Sequence, residues 1–478
     1  MKSFCGVLWL ILCVVSSAAK PNIIFIMADD MGYGDVQALN PKSKIPTPHL
    51  NRMAAEGMTF TDGHSNSAVC TPTRYGVITG QYAWRSSKKT GVLNGYSEPL
   101  IKPERQCIAD VLKTVGYKTA CIGKWHLGLG WVKEEGRIDF TKALTSTPND
   151  NGFDYSFVIP ASLDFPPYVY IRNRNVTEPE WVEQPAVKFP GYLRKGERSK
   201  ALIMEDCLDD LTKEAVKYIE EQAATPDPFF LYFPLTAPHK PALPHRRFAG
   251  KSGLGPYGDF IIQTDWTVGE VLKAVERAGI DENTLVIYSS DNGSYMYRQT
   301  DGSNHVDDPT VQGYLPEQHT ANGPLRGTKA DIWEAGHRVP FFAWWPGTVR
   351  SGGRCADTIT HTDLFKTFAD IAGAKVEKGM GRDSYSFYPQ LQGKFARQRP
   401  PVIHHSGSGM FAIRSGKWKL ILGTGSGGRE QPRGKKWAKP YMLFDLSKDL
   451  GEQHDVAARF PEVVSELEQV CLKIKGDD

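Results

Sequence analysis

A large, mostly parallel α/β sheet covered by helices on both sides is the fold this sequence predicts, with a small antiparallel sheet and a closing helix after it. Two observations carry the first part. Short runs nearly continuous in Val, Ile, Leu, Phe and Tyr alternate with amphipathic helical patterns as far as Lys375, as expected of strands buried on both faces and linked by crossover helices. A change of texture after Gly381, to shorter segments split by Gly- and Ser-rich turns, carries the second.

Met1 to Ala19 reads as a secretory signal peptide. Lys2 supplies the charge, Val7 to Val15 the apolar run, and Ser16 to Ala19 the small residues of a cleavage site. The run is too short to span a bilayer, so the chain is expected to be exported, periplasmic or secreted, with no membrane anchor. The candidate strands are NIIFIM (Asn22 to Met27), YKTACIG (Tyr117 to Gly123), FFLYFPLT (Phe229 to Thr236), TLVIYSS (Thr284 to Ser290) and VPFFAWW (Val339 to Trp345). Helical patterns lie between them at Cys107 to Gly116, Ala201 to Gln222 and Asp259 to Ala278, and Gly116 and Gly279 supply stops. VIHHSG, FAIRSG, KWKLILG and YMLFDL form the later sheet, and Pro461 to Lys475 the closing helix. The expected layout is a signal peptide over 1–19, a catalytic α/β domain over 20–381 and a C-terminal α+β subdomain over 382–478. The Gly- and Lys-rich loop from Thr424 to Pro440 is expected to be mobile.

The formal net charge of +3 leaves no electrostatic footprint for nucleic acid. Beyond the signal peptide the cysteines are Cys70, Cys107, Cys121, Cys207, Cys355 and Cys471. Their scatter matches neither a dense disulfide framework nor a metal-binding CxxC pair, and their pairing is open.

The polar residues just past each strand point to chemistry. Asp29 and Asp30 come after the first, Lys124 and His126 after the second, His239 after the third, and Asp291 and Asn292 after the fourth. Open α/β sheets bind ligands beyond the carboxyl ends of their strands. Three carboxylates converging there would repel one another without a cation, and an all-oxygen set selects Ca²⁺ or Mg²⁺ over Zn²⁺. Either acidic pair alone is also an ordinary strand-end turn, so spacing leaves both readings open. His126 and His239 suit a general acid and base, or are structural histidines. Lys124, Lys329 and Arg74 would then face an anionic substrate.

In these residues the chain resembles the formylglycine-dependent sulfatases of the alkaline phosphatase superfamily. The modification signal Cys-x-Pro-x-Arg stands as Cys70, Pro72 and Arg74 and continues through YGVITG; GYKTACIGKWH, MADDMGYGD, TAPHKP, SSDNG and LRGTKADIWEAGHRVP match the family's pattern. The resemblance implies that a formylglycine-generating or anaerobic sulfatase-maturating enzyme oxidises Cys70 to formylglycine, whose hydrate attacks sulfur. It implies Ca²⁺ held by Asp29, Asp30, Asp291, Asn292 and the modified Cys70. Arg74 would orient the nucleophile, Lys124 and Lys329 would bind sulfate oxygens, His239 would serve the leaving oxygen, and His126 would help the hydrate collapse.

Ser162, in IPASLD, matches a serine near that nucleophile. His305, His404 and His405 are further candidates for a substrate pocket, with structural roles equally open for His404 and His405. The expected function is hydrolysis of a sulfate monoester on a sulfated carbohydrate. The alternatives are a phosphomonoester or phosphodiester hydrolase of the same superfamily and a non-catalytic sulfoglycan-binding protein.

Overall fold

The strand from Asn22 to Asp29 (β1) is buried along its whole length, which is why it can occupy the middle of a sheet rather than an edge. A computed structural model describes residues 19–395 and 399–476; residues 1–18 of the expected signal peptide lie outside them. The other strands of the main sheet are β2 (Met58–Phe60), β3 (Lys118–Lys124), β4 (Tyr155–Ile159), β5 (Ile171–Arg172), β6 (Asn175–Val176), β7 (Phe229–Pro238), β8 (Thr284–Ser290), β9 (Phe341–Trp344) and β10 (Gly353–Cys355). Their order across the ten-stranded sheet is β10-β2-β9-β8-β1-β7-β3-β4-β5-β6. The central five, β8-β1-β7-β3-β4, are parallel. The expected strand at VPFFAWW is present as β9, but it runs antiparallel to β8.

The helices covering the sheet are α1 (Pro48–Glu56), α2 (Cys70–Thr79), α3 (Ile108–Lys113), α4 (Cys207–Ala223), α5 (Gly255–Arg277) and α6 (Leu364–Ala372). Alternation along β1 serves both layers. Ile24 and Ile26 belong to the core formed with Leu50, Leu211, Ile219 and Leu272 of α1, α4 and α5. Ile23, Phe25 and Met27 belong to the opposite core, with Ile78, Leu112 and Phe368 of α2, α3 and α6. Each such side chain contributes about 1.5–3 kcal/mol by leaving water, and Phe25→Ala would cost about 3–5 kcal/mol because a cavity opens as well.

After the main sheet come four antiparallel strands, β11 (Val402–His405), β12 (Phe411–Ser415), β13 (Trp418–Ile421) and β14 (Met442–Asp445). Helix α7 (Pro461–Gly476) closes them by packing Leu467 and Cys471 with Ile413, Leu420 and Leu443. The loop expected to be mobile, Thr424 to Pro440, is anchored instead. Ser426 O accepts from Ile332 N at 2.7 Å, and Gly427 O accepts from Ser408 Oγ at 2.7 Å. The six cysteines among the described residues are buried and free. No helix among the described residues is long and apolar enough to cross a membrane.

Candidate active site

Strand register brings the polar strand ends to one level. β1 pairs in parallel with β7 and β8, with Asp29 opposite Pro238 and Ala28 opposite Ser290. The next residues along these chains, Asp30, His239, Asp291 and Asn292, therefore leave the sheet at one edge. Lys124 ends β3 two strands from β1, and Cys70 opens α2 after an extended Val69. One ligand atom from each of Asp29, Asp30, Cys70 and His239 lies within 4.8 Å of the others.

Arg74, one turn into α2, is fully buried beneath this edge. Its Nη2 and Nε donate to Asp291 Oδ2 at 2.7 and 3.1 Å, and its Nη1 donates to Lys124 O at 2.7 Å. Lys124 Nζ donates to Asp29 Oδ2 at 2.6 Å. Lys329 Nζ lies 2.6 Å from Asp30 Oδ1 and 3.5 Å from Cys70 Sγ. Asn292 Nδ2 donates to Asp30 Oδ1 at 2.7 Å. The charges are thus interleaved, and the oxygen side is left short of hydrogen bonds: Asp29 Oδ1, 3.7 Å from Arg74 Nη2, and Asn292 Oδ1 are buried with none. Burial, followed by repulsion from Asp291, pushes the Asp29 carboxyl up to about 8, against the pull of Lys124 and Arg74. Four side chains offering oxygen donors, two with an orphaned oxygen, fit a hard divalent cation.

The backbone is bent to make the arrangement. Asp30 and His126 adopt φ of 66° and 56°, and Ala330, beside Lys329, adopts 76°. Such left-handed backbone in non-glycine residues costs about 1–3 kcal/mol each and gathers at functional sites. The Lys329 segment is strapped on both sides, since Lys329 N donates to Ser294 O at 2.9 Å and Ala330 N to Ala68 O at 2.8 Å. His126 Nε2 bonds Leu93 O at 2.8 Å, which makes it the protonated nitrogen and leaves buried Nδ1 as an acceptor with no partner. His239 Nδ1 bonds the Lys240 carbonyl, leaving Nε2, 3.5 Å from Asp30 Oδ2, as the free nitrogen. Burial and then the neighbouring lysines hold the His239 imidazole well below its ordinary pKa.

A nucleophile position at a helix start, oxygen donors for a cation and two lysines is the layout expected from the motifs, and comparison with known proteins decides the family. The model of the family described as Sulfatase matches residues 21–374. The chain belongs to the sulfatase family.

This sulfatase is 34% identical to the N-acetylgalactosamine-6-O-sulfatase of Bacteroides thetaiotaomicron over 96% of its own length and 94% of that protein's. It is 30% identical to human arylsulfatase A, covering 95% of this chain and 88% of that one. A solved chain from work on the metabolism of multiple glycosaminoglycans by Bacteroides thetaiotaomicron superposes with a TM-score of 0.85 at 32% identity, over 96% of this chain and 100% of that one. The protein is therefore a sulfuric ester hydrolase.

Not every candidate joins the sulfatase's central cluster. Ser162 is buried in the segment after β4, where its carbonyl accepts from Phe165 N at 2.9 Å. His305 is bonded through Nδ1 to Val311 O at 2.7 Å and packs on Phe189 and Tyr314. His404 takes the structural surroundings left open for it: its ring stacks on His337 at 3.7 Å and lies beside His64, fully buried. Period-two alternation along β11 turns His405 the other way, against Phe411 and into a cavity of about 230 Å³ with Trp84 and Lys475.

Three residues to which the motif reading gives no role border the cluster. Lys240 follows His239 and sets its ammonium 4.1 Å from the Tyr192 ring centre; burial, then Arg429 and Lys329, pull it down to about 8. Arg429 comes from the anchored C-terminal loop. Asp331 fixes it there, accepting from the backbone N–H groups of Arg429 and Glu430 with one oxygen and from Thr328 N at 2.9 Å with the other. Two residues before Asp331 is Lys329, so a single carboxylate aligns both cationic segments. No short-range spacing marks Arg429, because it lies about 100 residues beyond Lys329 along the chain.

Proposed function

We propose that this protein is an exported sulfatase that removes a sulfate ester from a glycosaminoglycan-type sulfated carbohydrate, using formylglycine made from Cys70 and one Ca²⁺. The observation that carries the reading is the position of Cys70, at the first turn of a ten-residue helix with the Lys329 ammonium 3.5 Å from its Sγ. A helix start and a cation at one atom draw negative charge there, against burial, which lifts the unmodified Cys70 thiol to about 12. The relatives named for N-acetylgalactosamine-6-sulfate make that ester the first substrate to test.

Asp29, Asp30, Asp291 and Asn292 would hold the Ca²⁺, which when bound supplies positive charge against the anionic ester. The formylglycine hydrate would supply the attacking hydroxyl. This chain's residues do the rest. Arg74 holds Asp291 and the end of β3 in place. Lys124 and Lys329 bind sulfate oxygens and offset the charge that builds on them as the ester breaks, the kind of stabilisation worth about 3–4 kcal/mol per well-placed donor. The arriving anionic ester favours the imidazolium form of His239, which delivers its Nε2 proton to the departing alcohol oxygen, and His126 accepts one at Nδ1 when sulfate is released.

The test is a panel of matched sulfate and phosphate esters of the same sugars, run on protein shown by mass spectrometry to carry formylglycine at Cys70. Sulfate release should dominate. Faster phosphate release at every pH would make the protein a phosphohydrolase, and binding without release of either would make it a sulfoglycan-binding protein.

A further inference from the structure

The cations of a folded protein are usually paired when they leave water, because an unpaired buried charge is expensive. Most of the partly buried arginines here obey that rule: Arg194 is bonded to Asp164, Arg326 to Glu430, and Arg338 to Asp62. Lys240 and Arg429 do not. Both are half-buried, and neither side chain makes an ion pair or a hydrogen bond among the described residues. Arg429 Nη1 is fully enclosed and still without a partner. The two also lie close enough to repel each other, Arg429 being the charge that most lowers the Lys240 ammonium. Carboxylates that might neutralise them are taken: Asp164 by Arg194, and Asp30 by Lys329 and Asn292.

Their backbones are nevertheless held with care. Lys240 is tied to the site through His239, whose Nδ1 bonds the Lys240 carbonyl, and its ammonium rests on the Tyr192 face. Arg429 is fixed by the Asp331 carboxylate that also fixes the Lys329 segment. Two mutually repelling cations held without a counter-ion beside a catalytic cluster are arranged for an anion that arrives from outside.

We propose that Lys240 and Arg429 form a second anion subsite, separate from the one built by Lys124 and Lys329, which takes a carboxylate or a further sulfate on the sugar unit adjoining the scissile ester. The substrate is then a polyanionic glycan segment rather than an isolated monosulfated sugar. This rests on the sulfatase reading of the site.

The experiment compares kcat/KM on three saccharides: one with a single sulfate on an otherwise neutral sugar, one with an adjoining carboxylate, and one with an adjoining second sulfate. Wild type should favour at least one of the doubly charged substrates, and the preference should shrink as salt rises. In Lys240→Ala and Arg429→Ala the ratio of doubly to singly charged kcat/KM should fall about 10- to 100-fold, the range of a charged hydrogen bond. Lys240→Arg and Arg429→Lys should recover part of it. The arm that moves identifies the group; a ratio unchanged within about twofold in both arms overturns the subsite. The same saccharides are titrated onto Cys70→Ala protein, with and without each subsite substitution, so that binding is read without turnover. Loss of affinity for the doubly charged saccharides with no sulfate release by wild type would sink the hydrolase reading and keep the subsite. Melting temperatures within a few degrees of wild type confirm that the variants fold.

Discussion

The Lys329 ammonium stands 3.5 Å from Cys70 Sγ while it bonds Asp30 at 2.6 Å. One cation therefore touches both the proposed nucleophile position and a candidate metal ligand, although it lies more than 250 residues along the chain from either. Lys329→Ala should lower kcat by about 100- to 1000-fold, the loss seen when one preorganised donor is removed. Steady-state kinetics beside a thermal melt check this. A fall in melting temperature with kcat intact would reduce Lys329 to a structural partner of Asp30.

Removing the metal should act on stability as well as on turnover. Three carboxylates and the orphaned Asn292 Oδ1 meet at one buried edge, so a cation bound only by the folded state stabilises it, by about 2.7 kcal/mol at one hundred times its dissociation constant. Chelation should lower the melting temperature and stop sulfate release, and Ca²⁺ should restore both better than Zn²⁺ because every donor in the set is oxygen. Melting curves that do not respond to chelator or to added Ca²⁺ would count against the site.

Asp331 is the positioning carboxylate of the cluster. Asp331→Ala removes the acceptor for Thr328 N, Arg429 N and Glu430 N together. Each amide left buried costs about 1–3 kcal/mol, so denaturant unfolding should show a large loss, with kcat/KM falling as the Lys329 and Arg429 segments part. Asp331→Asn keeps one oxygen and should lie between.

A pH effect is built in where α5 meets the start of α1. Asp265 accepts from the backbone N–H groups of His49 and Leu50 at 3.1 and 2.8 Å, yet burial outweighs them and lifts its carboxyl to about 7. The folded state then holds this proton more tightly than the unfolded chain, whose carboxyl titrates near 3.9. The contribution is fully present below about pH 4 and is lost as pH rises through about 7, a change on the order of 4 kcal/mol. Asp265→Asn should flatten the stability profile across that window. It should also lower stability at pH 5, since Nδ2 cannot accept from the second N–H. An unchanged slope between pH 4 and 7 would show that Asp265 titrates normally.

The sheet was legible because β1, β3, β7 and β8 are long apolar runs, and an apolar run that ends in Asp29, Lys124 or Asp291 shows where a strand stops and a site begins. The short strands β2 and β10, and the antiparallel sense of β9, were not, since a few residues carry no periodicity and pairing direction depends on the connection. His404 illustrates another limit. Two adjacent histidines on a strand must face opposite ways, but the sequence does not say which faces the site, and His404 turned out to face His337. Arg429 was hidden by a loop whose Gly and Lys content suggests mobility, whereas Asp331, Ser408 and Ile332 pin it.

The central claim, that Cys70 becomes the nucleophile of a sulfate-ester hydrolase, is tested most directly by sulfate release from N-acetylgalactosamine-6-sulfate saccharides. Wild-type and Cys70→Ala protein are assayed side by side, with matched melting curves. The account predicts release by wild type and none by the variant, with both folded. Equal release by the two proteins would contradict it.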